Sequence, residues 1–285
     1  MSRNIVVLAS GGDVNKLASP GSPFAGEPPS VILWLTQDQE GSLMGHILVL
    51  SGAGRYGDGI HDFDATSEAV SQILTERGHQ VEVRRSEPEA LDHLAGADLL
   101  IVNTGGGDPE EGWDYIPEWS RAHNEILEHH EAGKPVLGLH TACNTFCDWD
   151  LWPSILGGKW VLGVSGHPER SYAVFEPMPE AADHPILRGV EQVVVYDERY
   201  SDLDVNPLAT PLLFHETGEE FHPMCWVMGN SVVYDGLGHS PRSYYSASRR
   251  QLLCNEVSWL LNWKRREAAA EGPAQVSPES TQPGR

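Results

Sequence analysis

His140 lies in the pentapeptide Gly138-Leu139-His140-Thr141-Ala142, directly after the apolar run Pro135-Val136-Leu137. A buried strand, a one-residue turn and a helix start follow in that order, with small residues two before and two after the centre. That layout matches the Gly-x-nucleophile-x-Gly elbow of hydrolases, which thrusts the central side chain into a pocket. Here the central position carries an imidazole, not a serine or cysteine. An acyl-transfer architecture therefore lacks its usual attacking group. The dipole at a helix N-terminus disfavours added positive charge, which predicts a neutral imidazole able to ligate a metal, accept a proton or donate to a carbonyl. The bland alternative is a packed histidine in a relict site.

Four more groups, His167, Asp197, Glu198 and His239, fall in or just after predicted strands of the C-terminal half. With His61 and His140 they are expected to converge above the carboxyl ends of the strands, where open α/β sheets bind ligands. The expected catalytic set is His140, His167, Glu198 and His239. The same four are the expected ligands of a divalent metal such as zinc, since imidazoles with a carboxylate suit that ion. No pair shows the H-x-x-x-H spacing of a compact metal motif, so hydrogen bonding to substrate or to loop backbone stays open. Asp197 and Glu198 are adjacent and point to opposite faces of a strand. Glu198 is taken as base or ligand, and Asp197 as its orienter and as part of the substrate-binding set. That set also holds His61, Gly105, Gly106 and Trp226. Gly105-Gly106-Gly107 follows a predicted strand, so its N–H groups could approach an oxyanion or simply form a turn.

Three further patterns have competing explanations. His140, Cys143 and Cys147 fall on one face if a helix continues, but free cysteines are more often small buried apolar residues. Trp149, Trp152, Trp160 and Trp226 offer stacking platforms, with Trp226 beside the Gly229-Asn230 turn as the candidate; most tryptophans are core residues. Gly52-Ala53-Gly54-Arg55-Tyr56-Gly57 matches G-x-G-x-x-G, and Arg84-Arg85 could take a 2′-phosphate. Asp58-Gly59-Ile60-His61-Asp62 intervenes before helical periodicity begins, so the third glycine does not open a helix and a dinucleotide site is disfavoured.

The elements that must position these groups alternate. A strand from Gly45 to Ser51, a helix from Ala65 to Arg77, a strand from Gln80 to Arg84, a short helix from Pro88 to Leu94, a strand from Asp98 to Asn103 and a helix from Ile116 to Ala132 precede the elbow. Buried apolar strands between helices imply an α/β, three-layer fold with a mostly parallel sheet flanked by helices. The C-terminal half is β-rich. Its candidate strands are 160–164, 173–175, 193–196, 208–214, 224–228 and 231–234, and a last helix spans 246–264. Residues 1–43 read as a poorly ordered extension holding two short candidate strands, 5–8 and 31–35. Residues 44–265 read as the α/β domain and 266–285 as a disordered tail. Met44, just before the first clean strand, is taken as the natural start.

The chain of 285 residues carries 41 acidic and 19 basic residues, a formal charge of −22. Such a balance argues against nucleic acid and anionic membranes as partners, and no apolar run is long enough to span a bilayer. Four cysteines do not form a disulfide scaffold, and no signal peptide is apparent, so a reduced, cytoplasmic protein is expected.

Gly138-Leu139-His140, Asp148-Trp149, Leu156-Gly157-Gly158, Gly166-His167-Pro168, His184-Pro185-Ile186 with Arg188-Gly189, Asp197-Glu198 and Gly236-Leu237-Gly238-His239 occur in this order. Between Gly45 and Trp263 the chain thereby resembles the trehalose-utilisation, or ThuA-like, family. The resemblance implies a class I glutamine amidotransferase-like, flavodoxin-like fold, in which the loop at Gly105 supplies part of an oxyanion hole. It also implies a role in carbohydrate metabolism. The expected ligand is a sugar or keto-sugar. The expected step is hydrolytic, isomerising or lyase-type, without glutaminase activity. A non-catalytic carbohydrate-binding module is the alternative. A homodimer is expected by analogy of fold. Glu216 to Met224 and Gly57-Asp58-Gly59 look individual, so the family does not fix the substrate.

Overall fold

The computed structural model describes residues 44–107, 113–218 and 220–266. The expected extension, its two candidate strands and, apart from Arg266, the expected tail lie outside the described residues.

The first half builds a parallel sheet from β1 (His46–Ser51), β2 (Gln80–Arg85), β3 (Leu99–Asn103) and β4 (Val136–Leu139). β3 and β4 are buried at every residue and β1 at all but His46, because helices cover both faces. β2 is largely exposed, and its sequence QVEVRR suits a charged edge strand. The crossovers are α1 (Phe63–Glu76), a 3-10 run over Pro88–Gly96 and α2 (Pro117–Glu131). α1 starts two residues earlier than its apolar periodicity predicts, because the Asp62 carboxylate accepts the Ala65 N–H as an N-cap.

After the elbow come α3 (Trp152–Leu156), β5 (Gly158–Lys159), β6 (Ser171–Pro177), β7 (Val193–Asp197), β8 (Asp204–Val205), β9 (Thr210–Thr217), β10 (Glu220–Met228), β11 (Val232–Asp235) and α4 (Ala247–Leu261). The main sheet has the order β2-β1-β3-β4-β11-β10-β9-β6-β7. β11 lies parallel to β4, and every later pairing is antiparallel. Two reversals return β9 to the direction of β11, and two more return β7. The carboxyl ends of β1, β4, β7 and β11 therefore face the same edge.

β7 is last in the sheet order, yet its end reaches the centre. β6 touches β9 only at Glu176 and Pro177, so the β6–β7 hairpin is loosely joined to the sheet. α4 packs against β7, β4 and β11 together. The Ser246 hydroxyl donates to the Val194 carbonyl, and the Val194 N–H donates to the Ser248 hydroxyl, pinning β7 to the start of α4.

Two sequence expectations fail here. Residues 160–164 do not form a strand: Gly163 sits at φ +78° and the Val164 and Ser165 N–H groups both donate to the Val161 carbonyl. The helix after the elbow is a 3-10 turn over His140–Asn144, and Phe146 at φ +49° follows it. Cys147 thus leaves the presumed helix face. The strands expected at 208–214 and 224–228 are longer, because Thr217 pairs with Glu220 and most of the 216–224 stretch belongs to the end of a hairpin. No helix among the described residues is long and apolar enough to cross a membrane.

Candidate metal centre

The elbow is strained where its side chain must project. His140 has φ +48°, in the left-handed region that non-glycine residues avoid. Such a conformation costs about 1–3 kcal/mol and persists only where its surroundings hold it. A Cβ at Gly138 would lie 2.5 Å from Leu156 Cδ1 and 3.1 Å from Ala142 Cβ, so the small flanking residues are a packing requirement. The Tyr234 hydroxyl donates to the His140 carbonyl at 2.8 Å and steadies the turn.

The His140 ring is fixed at both nitrogens. Nδ1 lies 2.8 Å from the Gly236 carbonyl, which can only accept, so Nδ1 carries the proton. Nε2 therefore presents its lone pair, and the Tyr200 hydroxyl donates to it at 2.9 Å. Burial, followed by the nearby His61, lowers the imidazole to about 3. The neutral form expected from a helix dipole is thus imposed by burial, since the following 3-10 turn is too short to supply that dipole.

His61 has the same arrangement. Its Nδ1 lies 2.7 Å from the Asp58 carboxylate, while Nε2 is buried without a hydrogen-bond partner. Its ring centre is 5.1 Å from that of His140 and 4.5 Å from that of His239. His239 places Nδ1 3.0 Å from Glu198 Oε1 and 3.3 Å from His140 Nε2. Glu198 Oε2 lies 3.5 Å from His140 Nε2 and 3.7 Å from His167 Nε2. Burial raises the Glu198 carboxyl, but the hydrogen bond from His239 and its nearness to His140, His239 and His167 outweigh it and bring it to about 2.

His61, His140, Glu198 and His239 each offer a ligand atom, and these atoms lie within 4.8 Å of one another. Two of the imidazoles are held at Nδ1 by a carboxylate or carbonyl, the outer arrangement that orients metal-binding histidines. The orphaned Nε2 of His61 is a buried lone pair or N–H that a fifth partner would satisfy. The donors present fit a divalent ion.

The expected residues do not all hold their expected places. His61, read as a substrate contact, joins the donor group, whereas His167 stands outside it, its side chain 36% exposed and its Nδ1 turned to the Pro168 carbonyl. Asp197 is buried and accepts the N–H groups of Glu198, Gly238 and His239 at 2.9, 2.8 and 3.2 Å. Both its oxygens accept these N–H groups, so it ties the end of β7 to the Gly236–His239 loop. Gly105 N–H donates to the Tyr56 carbonyl and Gly107 N–H to the Asn144 carbonyl. A Cβ at Gly106 would meet the Arg55 carbonyl at 2.9 Å. The triglycine permits close packing on the 55–57 turn, and the Gly105 N–H is spent there and not on the expected oxyanion cradle. Trp226 is wholly buried, its Nε1 donating to the Leu156 carbonyl, so it is a core residue and no stacking platform.

Burial pushes the Cys143 thiol up to about 12, leaving no reactive thiol beside the elbow. Within the 52–57 stretch Gly54–Tyr56 forms a 3-10 turn well before α1, and Arg84 and Arg85 pair with Glu82 and Asp64, so the dinucleotide pattern has no phosphate cradle. Sequence reasoning missed Tyr200, buried and stacked 4.8 Å from the His140 ring. It also missed Asp58, whose only sequence signal was its place three residues before His61.

The fold is an α/β sheet, parallel from β2 to β11 and antiparallel from there to β7, with a strained elbow at its carboxyl edge that carries imidazole. The family model for ThuA, trehalose utilisation, matches residues 46–260, and the chain belongs to that family. A ThuA-like protein from Parabacteroides merdae, 15% identical, superposes with a TM-score of 0.63 over 77% of this chain and 90% of that one. One from Bacteroides uniformis, also 15% identical, gives 0.59 over 75% and 90%. A glutamine amidotransferase from Thermotoga maritima, 13% identical, gives 0.44 over 76% and 96%. No curated protein matches the sequence significantly.

Proposed function

We propose that the protein acts on a sugar or keto-sugar derivative by metal-assisted acid/base chemistry and has no glutaminase activity. The observation that carries this is the grouping of three imidazoles and one carboxylate, each set by its own hydrogen bond, at the carboxyl edge of the sheet. The sugar rests on the trehalose-utilisation description of the family. His61, His140, His239 and Glu198 hold the ion. A divalent ion such as zinc supplies Lewis-acid polarisation of a carbonyl or hydroxyl oxygen.

The chain's own groups handle protons. Glu198 is held ionised and can ligate or accept a proton. Tyr200 is held un-ionised, since burial raises its phenol well above the usual value, so it keeps a proton to donate. His167, at the exposed rim, is placed to meet substrate hydroxyls. The four free cysteines support a reduced, cytoplasmic setting.

The test is metal content of the purified protein together with turnover of a keto-sugar panel, for the native chain and for His140→Ala. Stoichiometric metal and turnover, both lost in the variant, are expected. A metal-free native protein with no turnover, whose sugar binding survives His140→Ala, would instead mark a non-catalytic binding module. Release of ammonia from glutamine would overturn the proposal.

A further inference from the structure

Glu220 and His222 lie two residues apart on β10, so both side chains stand on one face of that strand. Asp202, in the loop between β7 and β8, comes up against His222. Each of the three offers a donor atom, and these atoms lie within 4.8 Å of one another. We infer that Asp202, Glu220 and His222 form a second divalent-cation site, for an ion of the zinc class. It shares no residue with the four-donor centre and does not rest on the function proposed above. Glu220 and His222 fall in the 216–224 stretch that looks individual in sequence, so the family description does not supply this site.

The donors face one another in a way that calls for a positive charge between them. His222 is 8% exposed. Its Nδ1 accepts the Asp202 N–H at 3.4 Å, so that nitrogen bears a lone pair and no proton. Asp202 Oδ1 lies 3.9 Å from the same nitrogen, beyond hydrogen-bond reach. A lone pair and a carboxylate oxygen set against each other repel unless a proton or a cation comes between them. Zinc bonds of about 2.0–2.2 Å at the tetrahedral angle place neighbouring ligands about 3.3–3.6 Å apart. Asp202 and Glu220 are exposed, so their side chains can close the small remaining distance. Neither carboxylate pairs with a lysine or arginine among the described residues. The cleft around them, about 480 Å³, is lined by Asp202, Leu203, Glu220, Phe221, His222 and Pro223, and leaves room for waters to complete the coordination. One imidazole with two carboxylates suits zinc or manganese better than calcium, which takes about six to eight oxygens.

The histidine is held from behind. His215 pairs opposite His222 across β9 and β10, and the two rings stack at 5.3 Å. The His215 Nε2 donates to the Tyr200 carbonyl at 2.8 Å, and its Nδ1 accepts the Thr217 hydroxyl at 3.1 Å. A cation here would tie β10 to the 200–202 segment, whose Tyr200 reaches His140. With two of three donors exposed, the ion exchanges with solvent and is lost on desalting, unlike one held in the buried centre.

Calorimetric titration of zinc chloride into the desalted full-length His140→Ala protein tests this, because that substitution breaks the four-donor centre. His61→Ala serves the same purpose if His140→Ala does not fold. One zinc per chain should bind and raise the Tm. Asp202→Asn or Glu220→Gln, added to that background, should weaken it about ten-fold or more, since losing even an outer partner of a metal site costs about 10–100-fold. Both change exposed groups, and asparagine tolerates the φ of +58° at position 202, so the fold should survive. No zinc bound in the background protein, or equal affinity in all three proteins, would overturn the inference. Whether the native chain keeps metal through desalting bears on the proposed function and not on this site.

Discussion

The Tyr200 hydroxyl donates to Nε2 of His140 across 2.9 Å, on the one lone pair that the elbow histidine has to offer. Any ion held by His140 must compete with that hydrogen bond. Under the proposed function the phenol would act as a brake on metal binding and, once displaced, as a proton donor.

Tyr200→Phe should keep the fold and bind zinc more tightly. A net hydrogen bond of about 1 kcal/mol corresponds to roughly five-fold in affinity. Turnover should fall about 100-fold or more if the phenol is a general acid. Competitive titration against a zinc chelator and steady-state kinetics measure the two effects. Unchanged affinity would mean that the hydroxyl does not guard Nε2.

His61→Ala, His140→Ala and His239→Ala should each lose bound divalent metal, and His167→Ala should retain it, because only His167 stands outside the donor group. Elemental analysis after desalting decides this. Loss of metal in His167→Ala with retention in His61→Ala would restore the ligand set that the sequence suggested.

His123 and His129 give the stability a pH dependence. Burial lowers each from 6.5 to about 4 in the fold. Between those values the unfolded chain binds more protons, so stability rises with pH. Their contribution is complete above about 6.5 and is lost as pH falls towards 4. Tm should drop across that window. His129→Gln, which keeps a donor for the Pro135 carbonyl, should flatten the slope. A Tm independent of pH there would contradict the assignment.

Arg249 is wholly buried and pairs with Asp235 at 2.9 Å beneath the loop that carries His239. It also donates to the Leu237 carbonyl. Burial and the Asp235 charge keep the neighbouring Glu256 carboxyl well above its usual range, so Arg249 chiefly balances Asp235. Arg249→Met should destabilise the fold by about 3–5 kcal/mol, the cost of leaving a buried charge unpaired. Arg249→Met with Asp235→Asn should recover most of that, because asparagine can still accept the Leu237 N–H. Urea unfolding of both variants measures the difference; no recovery would show that the cost is packing alone.

Much of the site was legible because its logic is local. Val136 to Ala142 encodes a buried strand and a turn crowded enough to demand small neighbours, and that suffices to place His140. Strand–helix alternation up to that point gave the parallel sheet for the same reason: periodicity and caps act over a few residues. Trp226 was misread because its distance from a turn says nothing of what covers it; Leu156, far back in the chain, accepts its indole N–H. Gly105 was misread because its freedom to approach a ligand is equally freedom to approach the 55–57 turn, where its N–H meets the Tyr56 carbonyl.

The amino-acid order by itself determined the elbow, its imidazole, the alternating layers and the family. Which histidines stand around Glu198 was decided only in three dimensions. β7 ends at the donor group because its hairpin is loosely joined to the sheet and pinned to α4, and His61 arrives from a loop that no periodicity describes. Those placements depend on packing between segments far apart in the chain, and spacing along a sequence does not measure the distances that packing creates.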